Sequence, residues 1–169
     1  MELFIDETKK SNQRLHCVQI KLDDVVVVKD WAESVASVIF LARNKAPKED
    51  IKKYVENNFF LWSYLYRTCD EIRPTYKFDV SCQGTVPEAI TAFLEGQNFE
   101  DVIRTAVTLG GDCDTLTCIA GSIAEAFYGV PDRVPDNLKE ECRKRLTPEM
   151  LEVLDKLDEI RKRNNLLVW

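Results

Sequence analysis

A mainly α-helical domain is the fold class this chain predicts, on three observations. After Asp30 most apolar residues recur at intervals of three and four, the spacing of one helix face. Helix start and stop residues punctuate those stretches, namely Pro47, Asn98, Gly110-Gly111, Gly129, Pro135 and Pro148. The 169 residues are 45% hydrophobic and 31% charged, a composition that excludes a disordered chain and a length that suits one core. We therefore expect a single domain over 1–169, with a β-hairpin element at 1–29, a helical core at 30–131 and C-terminal helices at 132–169.

The first element is the exception to the helical pattern. Residues 15–22 alternate in part and residues 25–28 are a valine run, so two short strands about a polar Asp23-Asp24 turn are expected. Asp30 then suits the cap of a helix carrying Trp31, Val35, Val38, Ile39 and Leu41, ending near Arg43-Asn44. Pro47 opens a second helix with Ile51, Tyr54, Val55 and Phe59 on one face. Residues 68–85 read as a long irregular segment, of the kind that is usually functional or disordered. Thr85 and Pro87 suit the N-cap and first turn of a short helix that Gly96 ends. Asn98 caps the next, with Phe99, Val102, Ile103, Ala106 and Val107 on its apolar face. It stops at Gly110-Gly111, and helix resumes near Asp114 and runs to Tyr128. Residues 135–145 and 148–163 predict two charged, amphipathic helices.

Charge and cysteine usage narrow the function classes. Lys+Arg 23 against Asp+Glu 29 gives a net charge of −6, the wrong sign for a surface that coats nucleic acid. No apolar run approaches the ~18 residues of a membrane span, and the first residues lack the pattern of a secretory leader. A cytoplasmic protein is expected. The six cysteines are dispersed, with no C-x2-C pair and a single histidine, His16, so free thiols are expected rather than a disulfide framework or a zinc site. His16, Arg67, Arg73 and the aromatics of 59–66 each have an adequate structural reading, as core or ion-pair residues.

The segment that stands out chemically is Gly110-Gly111-Asp112-Cys113-Asp114-Thr115. The glycines allow positive φ. Asp112 and Asp114, two residues apart, are able to converge on one cation, with the Thr115 hydroxyl as a third oxygen. All-oxygen ligands suit Mg²⁺, Mn²⁺ or Ca²⁺ rather than zinc. The same aspartates also suit a helix cap, and spacing alone leaves both uses open.

This loop, followed by Ile119-Ala120-Gly121-Ser122-Ile123-Ala124-Glu125-Ala126-Phe127-Tyr128-Gly129, resembles the C-terminal signature of the ADP-ribosylglycohydrolase family. The resemblance extends to Asp70-Glu71-Ile72-Arg73-Pro74-Thr75-Tyr76 and to Ser81-Cys82-Gln83-Gly84-Thr85-Val86-Pro87-Glu88-Ala89. It implies a shortened, ADP-ribosylglycohydrolase-like helical domain. It also implies metal ligation by Asp112, Asp114 and Thr115, with Mg²⁺ (or Mn²⁺) as cofactor and the two aspartates catalytic. The loop of Ser81, Cys82, Gln83, Gly84 and Thr85 would line an ADP-ribose pocket. In the family a Thr-Asp-Asp-Thr cluster completes the metal site and a Gly-Asn-Gly loop meets phosphate. Here Asp23-Asp24 is the nearest counterpart of the cluster, where it also reads as a hairpin turn, and no Gly-Asn-Gly occurs.

Two functions follow from the resemblance. One is metal-dependent hydrolysis of an ADP-ribose glycosidic bond, on a small molecule or an ADP-ribosylated protein, if the metal site is completed. The other is an inactive, truncated member that binds ADP-ribose or a nucleotide, or serves as a protein-interaction (inhibitor) module. A homodimer or a protein partner is expected to cover the face left by the missing half.

Overall fold

The computed structural model describes residues 22–59, 65–129 and 136–163, and among them all regular structure is helical. The order is α1 Leu22–Arg43, α2 Lys48–Asn58, α3 Cys69–Ile72, α4 Cys82–Glu95, α5 Phe99–Leu109, α6 Cys113–Tyr128, α7 Asp136–Lys144 and α8 Pro148–Arg163. Local chemistry sets several of these bounds. The Asn98 side chain accepts from Asp101 N at 2.9 Å and Asp101 accepts from Gln97 N at 2.8 Å, which starts α5. Glu49 and Asp50 sit in the first turn of α2, where the helix dipole favours negative charge.

The core is built around α6, against which α1, α4 and α5 pack. Its fully buried side chains include Phe93, Ile90, Leu116, Ile123, Val38, Val55 and Val102. Among the described side chains of α1, Trp31, Ser34, Val38 and Ala42 are buried, one stripe at three- and four-residue steps. Gly121 lets α5 come close: a Cβ there would stand 2.8 Å from Ile103 Cδ1.

One end of the bundle is closed by Lys48. Its ammonium donates to Phe93 O at 2.7 Å, to Leu94 O at 3.2 Å and to Gly96 O, satisfying carbonyls at the C-terminus of α4. It also lies over the rings of Phe93, Tyr128 and Phe127, at 4.8, 5.3 and 5.7 Å from their centroids. Burial holds its pKa below the ordinary lysine value, and nearby Asp101 and Glu49 oppose that shift. Tyr128 Oη donates to Gly96 O at 2.8 Å and Lys45 Nζ to Phe127 O at 2.8 Å. The C-terminal ends of α1, α4 and α6 are thereby gathered together. The helices α4 and α6 are joined at their other ends as well, where Tyr76 bonds Gly84 O and packs on Gly111.

The structure corrects three expectations. The valines at 25–28 lie in α1, with Asp23 and Asp24 in its first turn and Asp30 in its interior, so these residues form no hairpin turn, second strand or cap. β-Branched residues lose only tenths of a kcal/mol each in a helix, a cost that the packing of the same helix from Trp31 onward readily offsets. The expected first strand falls, apart from Leu22, outside the described residues. Second, the 68–85 segment is not wholly irregular. Thr68 and Glu71 form a reciprocal capping box that starts α3. Third, α4 begins at Cys82 rather than Pro87. Ser81 is its N-cap, accepting from Gly84 N at 3.1 Å, and Thr85 Oγ1 donates to Ser81 O at 2.9 Å. Pro87 is carried inside the helix. The expected pocket loop is thus the cap and first turn of α4.

Candidate functional site

Two short segments meet at the end of the bundle opposite Lys48. One is Gly110-Gly111-Asp112 between α5 and α6; the other is the start of α4. Tyr76 ties them together. Its hydroxyl donates to Gly84 O at 2.8 Å, and its ring lies so close to Gly111 that an added Cβ would stand 2.6 Å from Cε1. The same Cβ would stand 2.9 Å from Lys77 O. Gly111 has φ +62°, and Gly110 has φ +78° with ψ −148°. Both are backbone states that favour glycine. Burial raises the Tyr76 pKa, with the charge of Glu88 adding to it, so the phenol stays protonated and able to donate.

The aspartates do not behave as caps by side chain. Asp112 occupies the N-cap position of α6 yet makes no side-chain cap hydrogen bond. Asp114 Oδ1 accepts from Thr115 N at 2.9 Å. Each carboxyl perturbs the other: the proximity of Asp114 raises the Asp112 pKa and that of Asp112 lowers the Asp114 pKa, while the Thr115 hydroxyl opposes the rise at Asp112. Asp112, Asp114 and Thr115 therefore converge as the spacing allowed, at an edge where Asp114 and Thr115 are exposed. Cys113, between them, is partly buried and a free thiol. Among the described residues no group of three or more His, Cys, Asp or Glu side chains forms a metal cluster.

Beside Tyr76 runs an open groove of about 390 Å³, lined in part by Arg67, Tyr76, Lys77, Ser81, Gln83, Gly84 and Glu88. Three of the five expected pocket residues, Ser81, Gln83 and Gly84, line it. Thr85 is buried beneath, and Cys82 is exposed outside that lining. Asp112, Asp114 and Thr115 are not part of the lining either. They stand across Tyr76, whose phenol feels the Asp112 charge. Asp23 and Asp24 lie in the first turn of α1, and nothing among the described residues joins that turn to the groove or to Asp112.

The groove holds features that the sequence did not disclose. Glu88, on α4, is buried and accepts from Arg67 Nη2 at 2.8 Å through Oε1, while Oε2 is without a hydrogen-bond partner. Burial pushes the Glu88 pKa up, and Arg67 opposes it. Arg67 itself is only partly covered. Nothing local marks these residues as a pair, because the contact joins segments far apart in the chain. Arg73 pairs instead with Asp70 at 2.5 Å, as expected of a structural arginine.

Comparisons with known proteins show which family this chain resembles. A family model described as ADP-ribosylglycohydrolase matches residues 6–166. The ADP-ribosylhydrolase ARH3 of Homo sapiens is 36% identical over 61 residues, 36% of this chain and 16% of the relative. Its counterpart in Danio rerio is 36% identical over 136 residues, 68% of this chain and 36% of the relative. The ADP-ribosylarginine hydrolase Tri1 of Pseudomonas putida is 25% identical over 130 residues, 76% of this chain and 32% of the relative. The chain thus spans between 16% and 36% of the length of these relatives. No solved structure matches it significantly. Since the family match runs through both segments that Tyr76 joins and over nearly the whole sequence, the chain belongs to the ADP-ribosylglycohydrolase family.

Proposed function

We propose that this chain acts on ADP-ribose held in a glycosidic bond, as one wall of a magnesium- or manganese-dependent hydrolase site. Asp112, Asp114 and Thr115 are the metal ligands in this reading, and the groove beside Ser81, Gln83 and Gly84 takes the ADP-ribose. The observation that carries it is the convergence of the Asp112 and Asp114 carboxyls at an exposed edge, with Asp112 free of side-chain capping. Two carboxylates and a hydroxyl fit the chemistry of a hydrated Mg²⁺, which is commonly held through one or two carboxylates and keeps several waters. When bound, the ion supplies positive charge against the bond being broken and lowers the pKa of water.

The remaining work falls to the chain's own residues. The N-terminal ends of α4 and α6 present positive dipole ends to a diphosphate, and Arg67 and Lys77 add charge along the groove. Tyr76 fixes the separation of the groove and the carboxylates through its bond to Gly84 and its contact with Gly111. Asp23 and Asp24 are proposed as further ligands because they are the nearest counterpart in this chain of the family's Thr-Asp-Asp-Thr cluster. The substrate is an ADP-ribosylated protein or small molecule, in keeping with the names of the relatives.

A second reading, binding of ADP-ribose without turnover or docking of a protein partner, is favoured by the two-acid set among the described residues. Calorimetric titration of ADP-ribose, with Mg²⁺ and then with EDTA, separates the readings. Binding that requires Mg²⁺ and is lost in Asp112→Asn and Asp114→Asn supports the first, with release of free ADP-ribose from a modified protein as the activity test. Metal-independent binding supports the binder. Absence of heat in both conditions overturns the ADP-ribose assignment.

A further inference from the structure

The α7–α8 pair lies outside the packed bundle: neither helix packs closely against α1–α6 among the described residues. Yet α8 carries an apolar stripe. Met150, Val153, Leu157 and Ile160 are 55%, 65%, 44% and 47% exposed, with Leu154 beside them. Their spacing of three, four and three residues is that of a coiled-coil seam, with Met150 and Leu157 at one core position and Val153 and Ile160 at the other. Asp155, which pairs with Arg143 of α7 at 2.8 Å, is on the opposite face of α8. The stripe therefore looks away from α7, and among the described residues none covers it.

We propose that this stripe pairs with the same stripe of a second copy of the chain, the two α8 helices running antiparallel. Charge sets the occupant and the direction. One flank of the seam reads Glu149, Lys156, Arg163. In an antiparallel pair like flanks meet, so Glu149 of each copy faces Arg163 of the other, twice over by symmetry. In a parallel pair this flank meets the opposite one, where Glu149 faces the apolar Leu154 and gains no counter-charge. Lys156 falls at the centre of the antiparallel arrangement, where two copies approach. It already bonds Glu152 of its own helix at 2.6 Å, which offsets that repulsion. Because α8 is the same helix in both copies, the interface is self-complementary and closes at two.

Sedimentation equilibrium of the full chain tests this. The wild-type chain is expected to be a dimer that dilution dissociates, and Leu157→Lys a monomer whose unfolding temperature matches that of the wild type diluted to its monomeric range. Glu149→Lys and Arg163→Glu each weaken the dimer about tenfold, since two opposite-charge pairs become like-charge pairs. The double variant Glu149→Lys/Arg163→Glu restores wild-type affinity. A chain that stays monomeric at its highest soluble concentration overturns the proposal. So does a Leu157→Lys variant that unfolds at lower temperature than the wild-type monomer at high dilution, which would place the stripe against the chain's own bundle. Failure of the double variant to recover overturns the antiparallel register.

Discussion

Replacing Gly111 with alanine probes the joint on which the candidate site depends. The left-handed backbone at φ +62° costs an alanine about 1–2 kcal/mol. The new Cβ would stand 2.6 Å from the Tyr76 ring and 2.9 Å from Lys77 O, so the ring has to retreat. Retreat breaks the bond from Tyr76 Oη to Gly84 O at 2.8 Å, worth about 1 kcal/mol. The sum is about 2–4 kcal/mol, or a fall in Tm of roughly 5–15 °C for a domain of this size. Gly110→Ala is the control, because its Cβ meets nothing within 4 Å. It bears only the backbone strain of its own φ and ψ. Thermal unfolding by circular dichroism, run on Gly111→Ala, Tyr76→Ala and the double variant, separates steric from conformational effects. In the Tyr76→Ala background the Gly111 substitution is expected to cost about 1–2 kcal/mol less. Additive effects in that cycle would refute the claim that Tyr76 clamps the loop.

Two further outcomes are expected. Lys48→Met should lower stability by about 2–4 kcal/mol, since three carbonyls lose a charged donor and three rings lose a cation; urea unfolding that leaves the midpoint unchanged would contradict this. Native protein at pH 8 should react with a thiol reagent at Cys82, Cys118 and Cys142 but not at Cys69, because the first three are exposed and Cys69 is buried. Burial, then its hydrogen bond to Glu95, pushes the Cys69 thiol up from 9.0 to about 12. The folded state therefore holds this proton more tightly than the unfolded one. That contribution to stability is fully present below pH 9.0 and is lost as pH rises toward about 12, by up to about 1.4 kcal/mol per pH unit. Cys69→Ser should flatten this part of the pH–stability curve.

What the sequence disclosed, and what it hid, divides by the range of the interactions involved. Pro47, Asn98, Gly110-Gly111 and Gly129 act on their immediate neighbours, and α2, α5 and α6 lie close to where those residues place them. The convergence of Asp112 and Asp114 is likewise a matter of two residues. Thr68-x-x-Glu71 is a legible signal of the same local kind, the capping box that α3 uses. The valine run and Pro87 misled because local preferences of tenths of a kcal/mol yield to tertiary packing. No spacing rule connects Tyr76 with Gly111, Arg67 with Glu88, or Lys48 with Phe93. Those contacts exist only once the helices have been brought side by side.

The gathering of three helix C-termini around Lys48 gives the molecule a built-in gradient of hydrogen-exchange protection. At that end the carbonyls are satisfied and the aromatic rings shut out water, so amides in the last turns of α4 and α6 open only when much of the domain does. At the other end the first turns are held by short local bonds, Gly84 N to Ser81 Oγ and Thr115 N to Asp114 Oδ1, and small local openings suffice for exchange. Whatever rearrangement a ligand requires around Gly110 and Ser81 can therefore occur by fraying from the N-terminal ends, while the aromatic end stays closed and holds the fold.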